Sequence, residues 1–404
     1  MSSLSSEANQ DEPTEVVPFA TEASASGAPY AQAPMAYDAI LLAGFGGPEG
    51  QEDVIPFLRN VTRGRGIPDE RLEEVAHHYR HFGGVSPINE HNRQLRQAIE
   101  DELTRRGIDV PIYWGNRNWA PYLEDTVKEA AAAGHTRLLG LATSAYSSYS
   151  SCRQYREDFA RALVSTDLAS TVRIDKIRQF FDAPGFVEPF VESVGQALRQ
   201  LTEEGIPAGS IRVLFSTHSI PTDDARRSGP RDQDFGPGGA YAAQHEAVAE
   251  HIMQRLQTDG LISDGALPGW EVVYQSRSGP ASQPWLEPDV CDRISQLPQE
   301  SAQAVVIVPL GFLSDHMEVM WDLDEEAMEA AEEAGLRAIR TATPGVHPAF
   351  VRGVVDLIQE RMDAVAPEKR EHLTALGPWF DVCRPGCCEN IRAGFKPAAA
   401  GVRP

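Results

Sequence analysis

Apolar runs of strand length alternate with amphipathic stretches along most of this chain. In the first half the apolar runs are YDAILLAGF, VPIYWGN and RLLGLATSAY, separated by helical patterns such as NEHNRQLRQAIEDELTRRG. The alternation restarts in the second half with IRVLFSTHS, WEVVYQSRSG and AVVIVPLGFL. Strands and helices in turn predict βαβ units with parallel sheets. We therefore predict an α/β protein of two similar domains, joined near Asp182 to Phe186.

The same pattern predicts five segments. Residues 1–36 are rich in Ser, Ala, Glu and Pro and lack a basic region and an apolar core, which predicts a disordered extension and not a signal peptide. The segments that follow are a first domain over residues 37–182, a second domain over 183–343, a helix over 344–366 that crosses back to the first domain, and a C-terminal extension over 367–404.

Charge and hydropathy exclude several classes of partner. The formal net charge of -23 argues against a nucleic-acid or an anionic-membrane surface. No apolar run approaches the roughly 20 residues that span a bilayer. We expect a cytoplasmic protein with no stable membrane insertion and no nucleic-acid partner.

Two strand ends carry groups suited to proton transfer or metal handling. In PLGFLSDHMEVMWDLDEE the residues Glu318, Asp322 and Glu326 are spaced four apart, which predicts one column on an α-helix that follows an apolar strand. The strand RVLFSTHSIP ends at His218. Each residue alone is as readily structural, but an imidazole and a carboxylate at the same edge of one sheet favour a functional site.

Other motifs keep ordinary interpretations. GFGGPEG resembles a dinucleotide loop, but Glu49 replaces its last glycine, so a plain turn is favoured. The basic loop TRGRG is suited to ligand carboxylates and equally to a solvated surface. Hydroxyls crowd SAYSSYSSCRQYRED, as either a polar turn or a wall of donors. The histidines of EVAHHYRHF are expected to be surface or packing residues.

Three of the five cysteines lie close together in DVCRPGCCEN, as Cys383, Cys387 and Cys388. A disulfide is disfavoured because the expected compartment is reducing. Three thiolates invite a fourth, which Cys152 or Cys291 could supply, and the spacing permits zinc or an iron–sulfur cluster. Unliganded thiols remain the alternative.

Several motifs in order resemble the ferrochelatase family, in particular its actinobacterial, coproporphyrin type, over about residues 37–366. They are LLAGFGGPEG, RGRG, HFGGVSPIN, LFSTHSIP, YQSRSGPASQPWLEPDV and PLGFLSDHMEVMWDLD. The resemblance implies two Rossmann-like domains of the class II chelatase kind, with a porphyrin cleft between them. It also implies insertion of Fe²⁺ into coproporphyrin III, giving coproheme in haem biosynthesis.

Three other functions stay open. One is a ferrochelatase for protoporphyrin IX. Another is a cobalt or nickel chelatase for a sirohydrochlorin-type tetrapyrrole, although such enzymes tend to pair two histidines where this chain has His218 and Glu318. The third is a non-catalytic tetrapyrrole-binding or iron–sulfur sensor module.

The resemblance assigns roles to individual residues. It implies that His218 and Glu318 are catalytic and contact Fe²⁺, with Asp322 and Glu326 as an acidic ladder. Many relatives have a tyrosine as an axial metal ligand at the position of Phe45, so that contact to iron is expected to be absent. The porphyrin-binding positions implied are Phe45, Arg63, Ser86, Tyr155, Gln275 and Trp285, of which Arg63, Ser86 and Tyr155 bind propionates.

The resemblance also implies a cofactor and a partner. The cofactor is a [2Fe–2S] cluster, and Cys291 is left unliganded. The protein is expected to be a monomer that passes its product transiently to a coproheme decarboxylase. The implied cluster ligands are Cys152, Cys383, Cys387 and Cys388.

Overall fold

Two four-stranded parallel sheets form the framework of this computed structural model, which describes residues 28–64, 66–260, 267–279, 282–389 and 396–401. The strand orders are β2-β1-β3-β4 and β6-β5-β7-β8, so the second sheet repeats the order of the first. The predicted α/β class with parallel sheets is confirmed. The strands are β1 Ala39–Gly44, β2 Ile112–Asn116, β3 Arg137–Ala142, β4 Arg173–Lys176, β5 Ile211–His218, β6 Gly269–Gln275, β7 Ala304–Val308 and β8 Arg337–Arg340.

Helices cover the faces of the sheets. All residues of β1 and β7 are buried, as expected for apolar strands that are covered on both faces. The first-half α-helices are α1 Val54–Val61, α2 Asp69–His81, α3 Ile88–Arg105, α4 Leu123–Ala132 and α5 Gln154–Ser165. The second-half α-helices are α6 Pro184–Glu203, α7 Thr222–Arg226, α8 Gly239–Thr258, α9 Val290–Gln296, α10 Met317–Val319, α11 Ala327–Glu333 and α12 Pro348–Met362.

One apolar core runs through both halves of the chain. Helix α12 packs against α6 and also against α3 of the first half. Its contact with α6 is close, because a Cβ added at Gly185 would lie 2.6 Å from the Gly353 Cα. The segment predicted to cross back towards the first domain thus contains a helix that contacts both halves.

Residues near the two ends of the chain pack against each other. The disordered extension expected over residues 1–36 falls mostly outside the described residues, but residues 28–36 pack against the C-terminal segment. The Ala31 N–H donates to Asp381 Oδ2 at 2.9 Å, and the Asp381 N–H donates to the Pro29 carbonyl at 2.9 Å. Asp381 also pairs with Arg370 at 2.7 Å in a buried contact. These bonds order a stretch whose composition alone favours disorder.

Among the residues that the structure describes, no helix is both long enough and apolar enough to cross a bilayer.

Candidate active site

His218 and Glu318 meet at the carboxyl edge of the second sheet. His218 is the last residue of β5, and Glu318 lies in α10, after the loop that follows the neighbouring strand β7. The distance from His218 Nε2 to Glu318 Oε2 is 3.6 Å. His218 Nδ1 lies 2.5 Å from the Ser219 carbonyl, which only accepts, so Nδ1 carries a proton. The Nε2 atom is therefore the one that faces the carboxylate.

The two side chains form an ion pair at neutral pH. Burial alone would lower the pKa of His218, but Glu318 and the Ser219 carbonyl outweigh burial and raise that pKa to about 9. Burial opposes ionisation of Glu318, yet His218 lowers the pKa of Glu318 to about 2. Half of the Glu318 side chain is exposed, so water and ions reach the pair.

Asp322 is held beside this pair by two donors. Gln275 Nε2 donates to Asp322 Oδ2 at 3.2 Å and to the Glu318 carbonyl at 3.1 Å, and the Ser276 hydroxyl also donates to Asp322. Burial raises the pKa of Asp322 to about 7, with Glu318 contributing in the same direction. Ser216 in turn donates to Gln275 Oε1 at 2.6 Å. Gln275 was expected to line a porphyrin cleft, but its side chain is buried and hydrogen-bonds to residues of the acidic segment.

The acidic ladder is π-helical and not α-helical as its spacing predicted. Residues Met320–Glu326 form a π-helix that directly follows the three-residue helix α10. Its turns are wider than those of an α-helix and carry i→i+5 hydrogen bonds. Trp321 Nε1 donates to Glu326 Oε1 at 2.9 Å.

Histidines of the first half surround Trp321. The His78 ring stacks on Trp321 with centroids 4.0 Å apart and an angle of 7°, and the His81 ring contacts Trp321 edge-on at 5.6 Å. His81 Nε2 also lies 3.5 Å from Glu325. Two of the histidines expected to be surface or packing residues thus pack against the acidic π-helix, a contact that the sequence interpretation did not include. Their position on one helical face was the only signal in the sequence.

Three predicted porphyrin-binding residues lie in the region that follows β1. Phe45 directly follows this strand, is 36% exposed, and contacts Phe57 edge-on at 6.4 Å. Ser86 is buried and its N–H donates to the Pro48 carbonyl at 2.9 Å. Arg63 is exposed and donates to Asn60. Only Phe45 and Arg63 therefore present substantial surface to solvent.

The other two predicted contacts, Tyr155 and Trp285, are less accessible. Tyr155 is buried beneath the Arg117 guanidinium, which lies 4.2 Å from its ring centroid, and its hydroxyl is 3.5 Å from Thr143 Oγ1. Trp285 is half-buried and forms an isolated β-bridge with Pro221. Both hold positions near the carboxyl edges of the sheets, where ligands of α/β proteins bind.

Four of the five cysteines come together as buried thiols, here called the four-thiol site: Cys152, Cys383, Cys387 and Cys388. Cys152 Sγ lies 4.0 Å from Cys383 Sγ, and Cys387 Sγ lies 3.8 Å from Cys388 Sγ. Cys152 belongs to the π-helix Tyr149–Arg153. Cys291 is half-buried in α9 and is not part of this group.

Within the four-thiol site, hydrogen bonds between sulfur atoms raise the pKa of Cys152 and Cys387 and lower the pKa of Cys383 and Cys388. Hydrogen bonds from Cys152 and Cys387 lower the pKa of Cys383 well below its usual value, and Arg156 contributes in the same direction. The Gly229 N–H donates to Cys388 Sγ at 3.1 Å. Across the described ranges no three His, Cys, Asp or Glu side chains are arranged to hold a metal ion. Each of the four sulfur atoms hydrogen-bonds to two of the others, so they form one connected group.

Comparison with known proteins identifies the family of this chain. The ferrochelatase family model matches residues 37–362. A coproporphyrin III ferrochelatase of Leifsonia xyli subsp. xyli is 63% identical over 393 residues, covering 95% of this chain and 99% of that protein. One of Tropheryma whipplei is 56% identical over 95% of this chain and 96% of its own, and one of Streptomyces griseus subsp. griseus is 51% identical over 91% and 97%. This chain belongs to the ferrochelatase family.

Proposed function

We propose that this protein inserts Fe²⁺ into coproporphyrin III to give iron coproporphyrin III. The observation that carries the proposal is the ion pair between His218 and Glu318 at the edge of the second sheet, 3.6 Å apart. It occurs in a member of the ferrochelatase family whose three relatives named above are called coproporphyrin III ferrochelatases.

The ion pair explains how iron and proton exchange in the site. Metal insertion releases two pyrrole N–H protons, but the free protein already holds a proton on His218. A cation that approaches Glu318 disfavours the imidazolium, because like charges repel at short distance. Arrival of Fe²⁺ therefore releases the His218 Nε2 proton to the water that reaches this half-exposed pair, and the neutral imidazole then accepts one of the two pyrrole protons.

Asp322 suits the next step of proton removal. Its pKa of about 7 lets it take up or release a proton near neutral pH. The donors Gln275 and Ser276 hold it beside the ion pair. Glu326, one π-helical turn further along, continues the acidic path outwards. Protons leaving the macrocycle would follow Asp322 and then Glu326.

The substrate follows from charge. Coproporphyrin carries four propionates and protoporphyrin two, so exposed donors around the site favour coproporphyrin. Arg63 is the exposed donor among the implied contacts, while the hydroxyls of Ser86 and Tyr155 are buried and Trp285 offers a half-buried apolar ring. Phe45 has an exposed ring and no lone pair to offer iron. Arg63→Ala should chiefly raise KM for coproporphyrin and leave kcat nearly unchanged.

We propose that the four-thiol site holds a [2Fe–2S] cluster on Cys152, Cys383, Cys387 and Cys388. Such a cluster needs four thiolates, two for each iron, and four buried sulfur atoms meet here, with Cys152 Sγ 4.0 Å from Cys383 Sγ and Cys387 Sγ 3.8 Å from Cys388 Sγ. When bound, it would supply one-electron chemistry and cross-link the tail to the first half of the chain.

Five free thiols suit a reducing compartment such as the cytoplasm. The iron porphyrin would pass from there to a coproheme decarboxylase.

An anaerobic insertion assay with coproporphyrin III and protoporphyrin IX side by side tests the function. We expect a higher kcat/KM for coproporphyrin. His218→Ala should lower kcat by about 10²–10⁴-fold with porphyrin binding retained, because proton transfer by a positioned side chain contributes about that much. His135→Ala, a histidine of the first half that contacts Tyr113, is the matched control.

Three outcomes would contradict the proposal. Near-normal turnover of His218→Ala would show that the ion pair is not needed for metal insertion. A preference for protoporphyrin under matched detergent conditions would place the enzyme with protoporphyrin ferrochelatases. Insertion of Co²⁺ or Ni²⁺ into a sirohydrochlorin-type tetrapyrrole, with no Fe²⁺ insertion into either porphyrin, would replace the substrate altogether.

A further inference from the structure

The turn at Ser228 and Gly229 joins the four-thiol site to helix α8. The Gly229 N–H donates to Cys388 Sγ at 3.1 Å. The Ser228 hydroxyl accepts from the Tyr241 N–H at 2.9 Å, and the Ser228 carbonyl accepts from the Ala240 N–H at 3.3 Å. The peptide that links Ser228 to Gly229 therefore bonds to a sulfur on one side and to the first turn of α8 on the other.

This turn and α8 pack without slack. A Cβ added at Gly239 would lie 1.8 Å from the Ala225 carbonyl oxygen and 2.6 Å from Ser228 Oγ, and Gly239 has φ of +60°. A Cβ at Gly229 would lie 2.7 Å from the Ala240 Cβ. Because close-packed groups transmit displacement, a shift of Gly229 must move the first turn of α8.

Tyr241 in that first turn reaches the active site. Its hydroxyl donates to the His218 carbonyl at 2.8 Å, and Thr217 Oγ1 lies 2.7 Å from the same hydroxyl, as its donor. The carbonyl of the next residue, Ser219, accepts a hydrogen bond from His218 Nδ1. Tyr241 is buried, so water does not replace these bonds. Tyr241 thus fixes the peptide between His218 and Ser219, which directly precedes the carbonyl that binds the imidazole.

The C-terminal segment makes further contacts with the same loop. Arg231 Nε donates to the Gly386 carbonyl at 2.8 Å, and Arg384 forms an ion pair with Asp232. Cys152 comes from the first half of the chain. The four-thiol site is consequently the meeting point of the first half, the tail and the loop before α8.

We propose that Tyr241 is a positioning residue for His218 and couples the four-thiol site to the active site. Loss of the packing around Cys388 would release Gly229, then the first turn of α8, and then the His218 peptide. The inference rests on the proposed function in one respect, that His218 takes part in metal insertion. It needs no assumption about which metal the thiols hold.

The first test is Tyr241→Phe, which removes the hydroxyl but keeps the ring and the backbone bond to Ser228. We expect kcat for Fe²⁺ insertion to fall by about tenfold or more, because small misplacement of a reacting group is costly. KM for coproporphyrin should stay unchanged, and hydrogen exchange at the Ser219 amide should quicken. Tyr113→Phe, on β2, is the matched control and should change none of these.

The second test removes the hydrogen bond between Gly229 and Cys388 at the four-thiol site, in the full-length protein. Cys388→Ala should speed exchange at the Tyr241 and Ser219 amides and lower kcat in the wild-type background. In the Tyr241→Phe background it should add little further loss of kcat, because coupled residues are not additive. Cys291→Ala serves as the thiol control. Arg231→Met loosens the same loop without touching a thiol, should Cys388→Ala fail to fold.

The possible failures are distinguishable. Additive losses of kcat, or unchanged exchange at Tyr241 and Ser219 in both Cys388→Ala and Arg231→Met, would overturn the coupling. Unchanged kcat in Tyr241→Phe would remove its positioning role. A wild-type protein that inserts no iron would sink the proposed function, while amide exchange would still test the coupling.

Discussion

At the scale of single residues, protonation in the active site is set by neighbours and not by residue type. His218 and Glu318 hold each other charged, with pKa values of about 9 and about 2. Asp322, only four residues from Glu318, is pushed by burial to a pKa of about 7. Carboxylates with such different pKa values suit different steps of proton transfer.

Asp322 should produce a pH dependence of its own. As pH rises through about 7 it loses its proton and becomes an acceptor, so kcat of the wild type should rise there. Asp322→Asn keeps an oxygen for Gln275 and Ser276 but cannot ionise, and should lose that rise together with about tenfold or more of kcat. Rates measured across neutral pH test this. Asp223→Asn, on the exposed surface of α7, is the control, and persistence of the rise in Asp322→Asn would contradict the assignment.

The ion pair should also make the free energy of unfolding depend on pH. The His218 pKa is raised from 6.5 to about 9. Its contribution to folding stability is therefore complete below pH 6.5 and disappears as pH rises through about 9. The Glu318 pKa is lowered from 4.5, so its contribution is complete above 4.5 and disappears towards about 2. The unfolding free energies of wild type and Glu318→Gln should therefore differ most between these limits and converge above about 9. A difference that stays constant from pH 6 to about 10 would argue against the pair.

At the scale of elements, the π-helix Met320–Glu326 decides where the acidic residues lie. Its Trp321 is fixed by Glu326 on its own helix and by His78 on α2. Burial lowers the pKa of His78, so the stacked ring is neutral at physiological pH. The acidic segment is therefore attached to the first half of the chain by an uncharged aromatic contact.

A double-mutant cycle measures that attachment. Trp321→Leu and His78→Ala together should show a coupling of about 0.5–1.5 kcal/mol in urea unfolding, the usual range for stacked rings. His77 contacts Trp321 only edge-on at 6.4 Å, so the matched cycle with His77→Ala should give a smaller coupling. Equal couplings in the two cycles would show that stacking does not hold the π-helix.

At the scale of the whole molecule, the C-terminal segment joins both halves of the chain. It contacts residues 28–36 through Asp381, the first half through Cys152, and the loop before α8 through Gly386. The apolar core is likewise continuous across the halves. Loss of the four-thiol site should thus weaken the molecule beyond its immediate surroundings.

If the proposed [2Fe–2S] cluster is bound, replacing any one cysteine of the four-thiol site should bleach the visible spectrum and lower Tm. Metal binding free energy adds to folding free energy, and each kcal/mol lost shifts Tm by about 2–4 °C in a protein of moderate size, so a fall of more than about 5 °C is expected. Cys152→Ser and Cys383→Ser, compared with Cys291→Ser as control, test this by absorption and thermal unfolding. A colourless wild type with stoichiometric zinc, or loss of colour in Cys291→Ser alone, would require another ligand set.

Local periodicity was enough to predict the α/β architecture and the edge that holds His218 and Glu318. Strands such as AVVIV are specified by their own β-branched residues, and neighbouring parallel strands end at one edge, so two strand ends can be placed together without coordinates. The motifs that resemble ferrochelatases also indicated the family, and the match to the ferrochelatase family model confirms it.

Contacts between distant segments were decided by tertiary packing. Cys152 and Cys383 are 231 residues apart, and their meeting depends on where the tail packs, which no local pattern records. The stacking of His78 on Trp321 and the bond from Tyr241 to His218 likewise join separate elements. The π-helix was missed because a spacing of four fits an α-helix, and the buried surroundings of Asp322 exist only in the folded chain. Sequence periodicity reports on neighbours along the chain, whereas packing, burial and charge depend on neighbours in space.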